Sequence, residues 1–153
     1  MTPRIVVAAE RRRCDSRPVT AFISHTTIDC ADAYTLSEWW KVVLGYTDIE
    51  DDPNEPGDEE CMILDPETGH QLLFVEIPDA AESKDRCGKN RLHLDLRPRI
   101  HTRDREVEEL LAHGARVVED LRGKYGPGTG WVVLADPEGN EFCILRSQAE
   151  VED

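Results

Sequence analysis

The sequence predicts an α+β fold that consists of two successive βαβββ modules. The first observation is an order of signals, namely strand, helix, glycine, strand, Asp-Pro turn and strand, which occurs in each half of the 153 residues. The second is that matching landmarks keep a nearly constant separation, as expected of a duplicated unit. The landmark pairs are His25 and His93, 68 residues apart, Gly45 and Gly114, 69 apart, and Asp65 and Asp136, 71 apart.

Module one, about residues 19–78, begins with β-branched and aromatic residues that favour a strand. Asp29 or Asp32 then offers an N-cap, and apolar residues follow at helical spacing up to a terminal glycine. Residues 48–60 are acidic and contain prolines, which indicates a solvated loop. The elements are expected as strands near 20–28, 61–64 and 71–76 and a helix near 32–44.

The helix of module one carries two adjacent tryptophans, Trp39 and Trp40. Neighbouring positions on a helix do not face the same way. We therefore expect only one of the two indoles to face the core fully, which leaves the other to line a pocket or an interface.

Module two, about residues 91–147, repeats this order around a second Asp-Pro turn. Because side chains alternate across a strand, the leucines of its first strand share the face that packs on the helix. His93 and Asp95 then lie on the opposite, polar face. The elements are expected as strands near 91–97, 131–135 and 141–146 and a helix near 103–113.

Charge excludes some classes of partner. The chain has 32 acidic residues against 18 Lys and Arg, a formal net charge of −14, which repels phosphate backbones and anionic lipids. Residues 1–18 are rich in arginine and lack periodicity, so we expect them to form a flexible basic arm. No run approaches the roughly 18 apolar residues that span a bilayer. We therefore expect partnership with neither nucleic acid nor membrane.

The cysteines indicate a reducing compartment. There are five, and no two form a C-x-x-C pair, which suits neither a disulfide framework nor a structural zinc site. Reduced thiols and a cytoplasmic location are the resulting expectation.

Two histidines at matching positions of the modules point to a cleft site. Taken singly, each could be an ordinary histidine within a strand, but their equivalence in the repeat favours a shared cleft. In the last strand, Glu141 and Cys143 lie on the same face as His93. The catalytic candidates are His25, His93 and Glu141, and the substrate-binding candidates are Trp40, Arg91, Trp131 and Cys143.

Residues 131–143 resemble the closing hairpin of the glyoxalase-like domain branch of the vicinal oxygen chelate superfamily, which includes glyoxalases, bleomycin-resistance proteins and extradiol dioxygenases. Residues 39–46 are similar to its first helix, and residues 91–96 to the strand that opens its second module. The resemblance covers roughly residues 20–147. It implies a curved mixed sheet around a cleft, a small-molecule ligand and a homodimer.

The resemblance also implies where a metal would bind. Metal-using members hold a divalent ion with residues from the first and last strands of each module, commonly two His and one or two Glu. His25 and His93 match the first-strand positions. Cys143 stands at one carboxylate position, and Leu72 or Leu73 stands at the other. Two neutral imidazoles alone bind weakly, so we expect either no metal or a weakly held divalent ion.

Two functions therefore remain open. The paired histidines favour a glyoxalase-like lyase or isomerase that acts next to a carbonyl. The missing carboxylates favour a non-catalytic protein of the bleomycin-resistance type that binds a drug or a metabolite.

Overall fold

A computed structural model describes residues 23–78 and 92–152. The predicted arm over residues 1–18 and the candidate Arg91 lie outside these ranges. None of the helices in the described ranges combines the length and apolarity needed to cross a bilayer. The elements are β1 Thr26–Cys30, α1 Ala33–Leu44, β2 Thr47–Asp48, β3 Glu60–Leu64, β4 Gln71–Glu76, β5 Leu94–Leu96, α2 Arg103–Ala112, β6 Arg116–Asp120, β7 Val132–Ala135, β8 Glu141–Ile144 and α3 Gln148–Glu152.

The strands form two four-stranded mixed sheets, in the orders β1-β4-β3-β2 and β5-β8-β7-β6. In each sheet the first strand of the module runs parallel to the last, and the remaining neighbours are antiparallel. The shared order confirms the predicted α+β fold of two βαβββ modules. Each module thus has its own hydrogen-bonded ladder.

The register of the strands fixes how the two modules correspond. Thr26 pairs with Leu72, and Leu94 pairs with Phe142, so the offset is 94 − 26 = 68 in the first strands and 142 − 72 = 70 in the last. The Asp-Pro turns are 71 residues apart, which means that module one has one extra residue after its turn. The residue that matches Cys143 is therefore Leu73.

Helix α1 has well-defined ends. The side chain of Asp32 accepts a hydrogen bond from the Thr35 amide at 2.8 Å, which caps the amino end. Gly45 follows the helix with φ of 70°, a left-handed conformation that favours glycine. The predicted helix near 32–44 is confirmed.

Both tryptophans of α1 are buried, so the expectation that only one would face the core is wrong. Trp39 is 8% exposed and Trp40 is 1% exposed. The reason is that α1 packs against its own sheet and also against module two. The Trp40 ring lies 5.1 Å from Phe142, and the Trp39 ring stacks on His113 at 5.4 Å between centroids.

Each Asp-Pro turn contacts the opposite module. The Glu138 carboxylate accepts hydrogen bonds from the amides of Ala31 and Asp32 just before α1, at 2.9–3.1 Å. In the other direction, the Arg99 guanidinium of module two donates to Asp65 and Glu67 of the first turn. These contacts fix the two modules against each other on two sides of the shared core.

Five elements differ from the spans expected from sequence. Strand β1 was expected near 20–28 but runs over Thr26–Cys30, and β5 was expected near 91–97 but runs only over Leu94–Leu96. Strand β2 and the bridge between Ile49 and Asp52 lie at the start of the acidic stretch that was expected to be a loop. Strand β6 contains a register shift between Val117 and Glu119, and all five of its residues are exposed. A short helix, α3, follows the last strand.

Candidate functional site

A cavity of about 480 Å³ lies between the two modules. Its lining comes from β1, from α1 and from the amino ends of β5 and β8. This volume falls within the range of small-molecule sites. The lining residues are Thr26–Asp29, Trp40, Leu92–Leu94 and Asn140–Phe142.

Polar and apolar side chains both line this cavity. His93, Glu141 and Asp29 bring one imidazole and two carboxylates, while Trp40 and Phe142 bring aromatic surface. The mixture follows from the alternation of side chains along a strand, because consecutive residues of β1 and β8, which face opposite sides of the sheet, both contribute to the lining. The site combines groups that can move a proton with groups that bury hydrocarbon.

His93 belongs to a second cluster on the polar face of module two. Its Nε2 atom lies 3.4 Å from Asp95 Oδ1. Asp95 pairs with Cys143 across β5 and β8, and the donor atoms of all three side chains lie within 4.8 Å of one another. Cys143 is only 4% exposed, whereas the His93 and Asp95 side chains are partly open to solvent. The alternation predicted for these strands therefore places His93 and Cys143 on one face.

The structure gathers only some of the predicted site residues around the cavity. His93, Glu141 and Trp40 line it, and Cys143 lies beside His93. Among the described residues, His25 and Trp131 are not part of the lining. His25 precedes β1 with Nδ1 3.2 Å from Ser24 Oγ, and Trp131 stacks on Tyr125 at 6.0 Å.

Trp40 is fixed by a buried hydrogen bond. Its Nε1 donates to Asp136 Oδ2 at 3.1 Å, and Asp136 is fully buried. The carboxylate also accepts hydrogen bonds from the Glu138 amide, from the Asn140 amide and from the Asn140 side chain, so three donors of this turn converge on it. The indole therefore presents a fixed surface to the cavity.

Sequence reasoning left Asp95 and Asn140 out of the candidate set, although Asp95 belongs to the cluster beside His93 and Asn140 lines the cavity. Asp95 shares the strand face of His93 at a spacing of two residues, and this alternation was the available signal. Asn140 follows the Asp-Pro turn, and no sequence pattern distinguished it from an ordinary turn residue.

A second cavity, of about 400 Å³, lies between the end of α1 and residues 95–101. The Arg97 guanidinium, which borders this cavity, donates to the backbone carbonyl of Arg146. The Arg99 guanidinium donates to the carboxylates of Asp65 and Glu67. Tyr46 borders it, and burial raises the pKa of this phenol, with Asp65 adding to the effect. The basic groups are engaged in structural contacts, so we place the candidate site in the first cavity.

The residues present do not fit the metal site of the superfamily. The last-strand positions hold Leu73 and Cys143, where metal-using members carry carboxylates. Leucine offers no ligand atom, so module one contributes at most His25. We therefore assign no chemistry to a metal held in that arrangement.

The family model of the glyoxalase-like domain matches residues 25–145. The chain belongs to the glyoxalase-like domain family. The match runs from the first candidate histidine through the last strand, and it places the chain in the vicinal oxygen chelate superfamily.

Solved structures share this fold at low sequence identity. A variant of the fosfomycin resistance protein FosX from Listeria monocytogenes, complexed with Mn(II) and 1S,2S-dihydroxypropylphosphonic acid, has a TM-score of 0.59 and 16% identity. The alignment covers 86% of this chain and 94% of that one. A glyoxalase/bleomycin resistance protein/dioxygenase family enzyme from Burkholderia phytofirmans has a TM-score of 0.56 and 21% identity, over 79% and 94% of the chains. No curated protein sequence matches the chain.

Proposed function

We propose that this glyoxalase-like protein is a small-molecule lyase or isomerase that moves a proton on the carbon next to a carbonyl. The observation that carries the proposal is that His93 and Glu141 line one cavity whose remaining wall is largely apolar. A proton donor and a base must lie within reach of the same bound substrate for this chemistry.

The two side chains take different roles. Glu141 removes the proton from the carbon, and His93 gives a proton to the carbonyl oxygen, which produces an enediol without net loss of atoms. Glu141 then returns its proton to the adjacent carbon, and His93 recovers its own from the neighbouring hydroxyl. Asp95, 3.4 Å from Nε2, orients the His93 ring so that Nδ1 is the nitrogen available to the substrate.

Apolar surface and charge restrict the substrate class. Trp40 and Phe142 provide an apolar wall for the hydrocarbon part of a substrate. Asp29 and Glu141 line the same cavity in a strongly acidic chain, which favours neutral or cationic substrates. We therefore propose small uncharged or cationic hydroxycarbonyl compounds and hemithioacetals.

Proton transfer can be tested without knowledge of the physiological substrate. A set of α-hydroxy ketones and 2-oxoaldehyde hemithioacetals is incubated with the protein in D₂O, and exchange next to the carbonyl is followed by NMR. We expect exchange that falls by about 100-fold or more in Glu141→Gln and His93→Gln. The matched control is Glu119→Gln on the exposed strand β6. Equal exchange in all variants, or none in the wild type, contradicts the proposal.

His25 is retained as a candidate catalytic group because it occupies the module-one position equivalent to His93. The variant His25→Gln in the same exchange experiment tests this role. A loss comparable to that of His93→Gln would assign His25 to the reaction, and unchanged exchange would remove it.

A non-catalytic binding protein is the second candidate function. Leu73 offers no metal ligand at a position where metal-using members carry a carboxylate, and the cavity has an aromatic wall. Both features favour a binding protein over an enzyme. Binding of an aromatic cation that quenches the fluorescence of Trp40, together with no proton exchange for any compound in the set, would support this function over the enzyme. Trp40→Phe identifies the fluorescence signal that belongs to the cavity.

We also propose that the protein is a homodimer in the cytoplasm. Strand β6 is a sheet edge, and Val117 and Val118 are about half exposed on it, at 51% and 50%. Exposed edges with apolar side chains are commonly covered by pairing. Light scattering should give twice the chain mass, and Val118→Lys should reduce the measured mass to that of one chain.

The cytoplasmic location is supported by the cysteines. Buried thiols at Cys30, Cys61 and Cys143 fit a reducing compartment.

A further inference from the structure

We infer that His93, Asp95 and Cys143 form a zinc site that lies entirely within module two. This site differs from the superfamily arrangement, because it takes two ligands from one strand and needs no residue from module one. Zinc on Nε2 would replace the contact with Asp95 that the proposed proton transfer uses, so the two roles of His93 belong to the metal-bound and the metal-free protein, and the zinc site is tested without substrate.

Strand geometry brings the three donors together. His93 and Asp95 are two residues apart and therefore point to the same side of the backbone. Asp95 and Cys143 are direct partners across the parallel pair β5 and β8. The imidazole nitrogen, the carboxylate oxygen and the sulfur consequently all lie within 4.8 Å of one another.

The separations suit a tetrahedral ion. Two nitrogen or oxygen ligands at about 2.0–2.1 Å from a tetrahedral zinc lie roughly 3.4 Å apart. The distance from His93 Nε2 to Asp95 Oδ1 is 3.4 Å. A sulfur ligand at about 2.3 Å lies roughly 3.6 Å from the other two donors. The sulfur of Cys143 lies within 4.8 Å of both of them.

The chemistry of the donors selects the ion. Thiolate and imidazole favour zinc and other borderline or soft ions, whereas Mn²⁺ and Mg²⁺ prefer sites made of oxygen atoms. Three protein ligands leave one position of a tetrahedral zinc open, as in catalytic rather than structural sites.

The duplicated module provides an internal comparison. The pair that corresponds to Asp95 and Cys143 is Thr27 and Leu73, which are direct partners across β1 and β4. Both modules build the same sheet with the same strand order, so the fold does not require a ligand set at this place. Only module two combines an imidazole, a carboxylate and a thiol there, which indicates a role other than folding.

Cobalt(II) provides a direct probe, because sulfur-to-cobalt charge transfer reports a thiolate ligand. The full chain, purified under reducing conditions and treated with chelator, is titrated with Co(II) and then with Zn(II). We expect a near-ultraviolet charge-transfer band that saturates at one equivalent per chain and disappears when Zn(II) displaces cobalt. Mn(II) at the same concentration should not displace it.

Variants assign the ligands. Cys143→Ser and His93→Gln should abolish the band, and Asp95→Asn should weaken Co(II) binding by at least tenfold. The controls are Cys61→Ala, which removes a buried thiol of module one, and His25→Gln, and both should keep the band. Circular dichroism verifies folding, and if Cys143→Ser is unfolded, Asp95→Asn and His93→Gln decide the assignment.

Two results would overturn the zinc site. The first is the absence of a charge-transfer band in the folded wild-type protein, which would reduce the cluster to an ion pair beside a buried thiol. The second is loss of the band in His25→Gln, which would show that the ion is shared between the modules. Both results are read from cobalt binding without substrate, whereas the proposed enzyme is read from proton exchange in the metal-free protein, so failure of the zinc site and failure of the proposed enzyme are distinguishable.

Discussion

Asp136 illustrates how a single buried carboxylate is stabilised. It has no exposed surface, yet it accepts hydrogen bonds from two backbone amides, from the Asn140 side chain and from Trp40 Nε1. A buried charge persists only when such donors replace its water. Among these donors, Trp40 is the one that comes from the other module, and its bond is one of several hydrogen bonds between the two halves.

Trp40→Phe tests the energy of this bond. Phenylalanine keeps an aromatic ring in the core but leaves Asp136 with one donor fewer, so we expect a loss of about 2 kcal/mol in the free energy of unfolding. Trp39→Phe is the matched control, because its Nε1 donates to the neutral carbonyl of His113 and its loss should cost about 1 kcal/mol. Urea unfolding measures both, and equal losses would contradict the role assigned to Asp136.

Asp120 should titrate well below an ordinary aspartate. Hydrogen bonds from the side chain and the amide of Arg122 lower its pKa to about 2. Because the pKa is lower in the folded state, the associated stability is present above pH 4 or so and is lost as the pH falls toward 2. Both side chains are partly exposed, so this contribution stays below about 1 kcal/mol.

NMR of the carboxyl carbons measures this titration directly. Arg122→Gln should return the pKa of Asp120 to about 3.9 and remove the acid-dependent part of the stability. The control is Arg105→Gln, which removes an exposed guanidinium on α2 that pairs with Glu108 and Glu109. An unchanged Asp120 titration in Arg122→Gln would contradict the assigned cause.

At the scale of elements, helix α1 begins on a contact from the other module. Glu138 accepts from the amides of Ala31 and of the N-cap residue Asp32, just before the helix, and its negative charge suits the positive end of the helix dipole. Glu138→Ala should therefore cost about 1 kcal/mol.

The matched control for Glu138→Ala is Glu67→Ala. Glu67 occupies the same position in the first turn, but it is exposed, and within the described ranges its carboxylate pairs with the Arg99 side chain and accepts from no helix amide. Its loss should cost less than about 0.5 kcal/mol, as is typical of surface ion pairs. Thermal unfolding compares the two, and a larger loss for Glu67→Ala would contradict the helix-capping role of Glu138.

The loop before β7 depends on a glycine. Gly130 has φ of 80°, and a Cβ atom there would lie 1.9 Å from the Leu121 carbonyl oxygen. Gly130→Ala should therefore cost at least about 3 kcal/mol. Gly128→Ala is the control, since φ is 76° but no atom lies within 4 Å of its added Cβ, and it should cost about 1 kcal/mol. Similar losses would show that the loop moves to accommodate the methyl group.

Elements with strong local signals were predictable from sequence. Helix α1, strand β4 and the Asp-Pro turns follow from capping residues, apolar spacing and turn chemistry, and each lies where it was expected. Strand β6 was missed because its five residues are all exposed and a bulge breaks the alternation of side chains. Its identity as a strand comes from pairing with β7, which no local pattern reveals.

The candidate site was predictable in part for a similar reason. Alternation alone placed His93, Glu141 and Cys143 on one face. The choice between Leu72 and Leu73 required the hydrogen-bond register, because an extra residue in a turn shifts every later side chain to the other face. The burial of both α1 tryptophans also depended on tertiary packing, since module two covers the side of the helix that its own sheet leaves open.

The whole molecule should unfold as one unit. A single cluster of buried residues extends from Cys30 and Phe74 in module one to Val107 and Ile144 in module two. With one continuous core, neither module keeps its buried surface when the other unfolds. We expect tryptophan fluorescence and far-ultraviolet circular dichroism to give the same urea midpoint. Two separate transitions would show that the modules are independently stable.

Because each Asp-Pro turn contacts the opposite module, the two repeats are also limited in how far their sequences can diverge. A duplicated sequence is often free to vary in one copy while the other keeps its role. Here Glu138 in the second repeat holds the two residues that precede the helix of the first repeat, and Arg99, also in the second repeat, holds the turn of the first repeat. A genetic suppressor of Glu138→Ala should therefore arise near residues 31–35, in the opposite half of the chain, more often than near the original lesion.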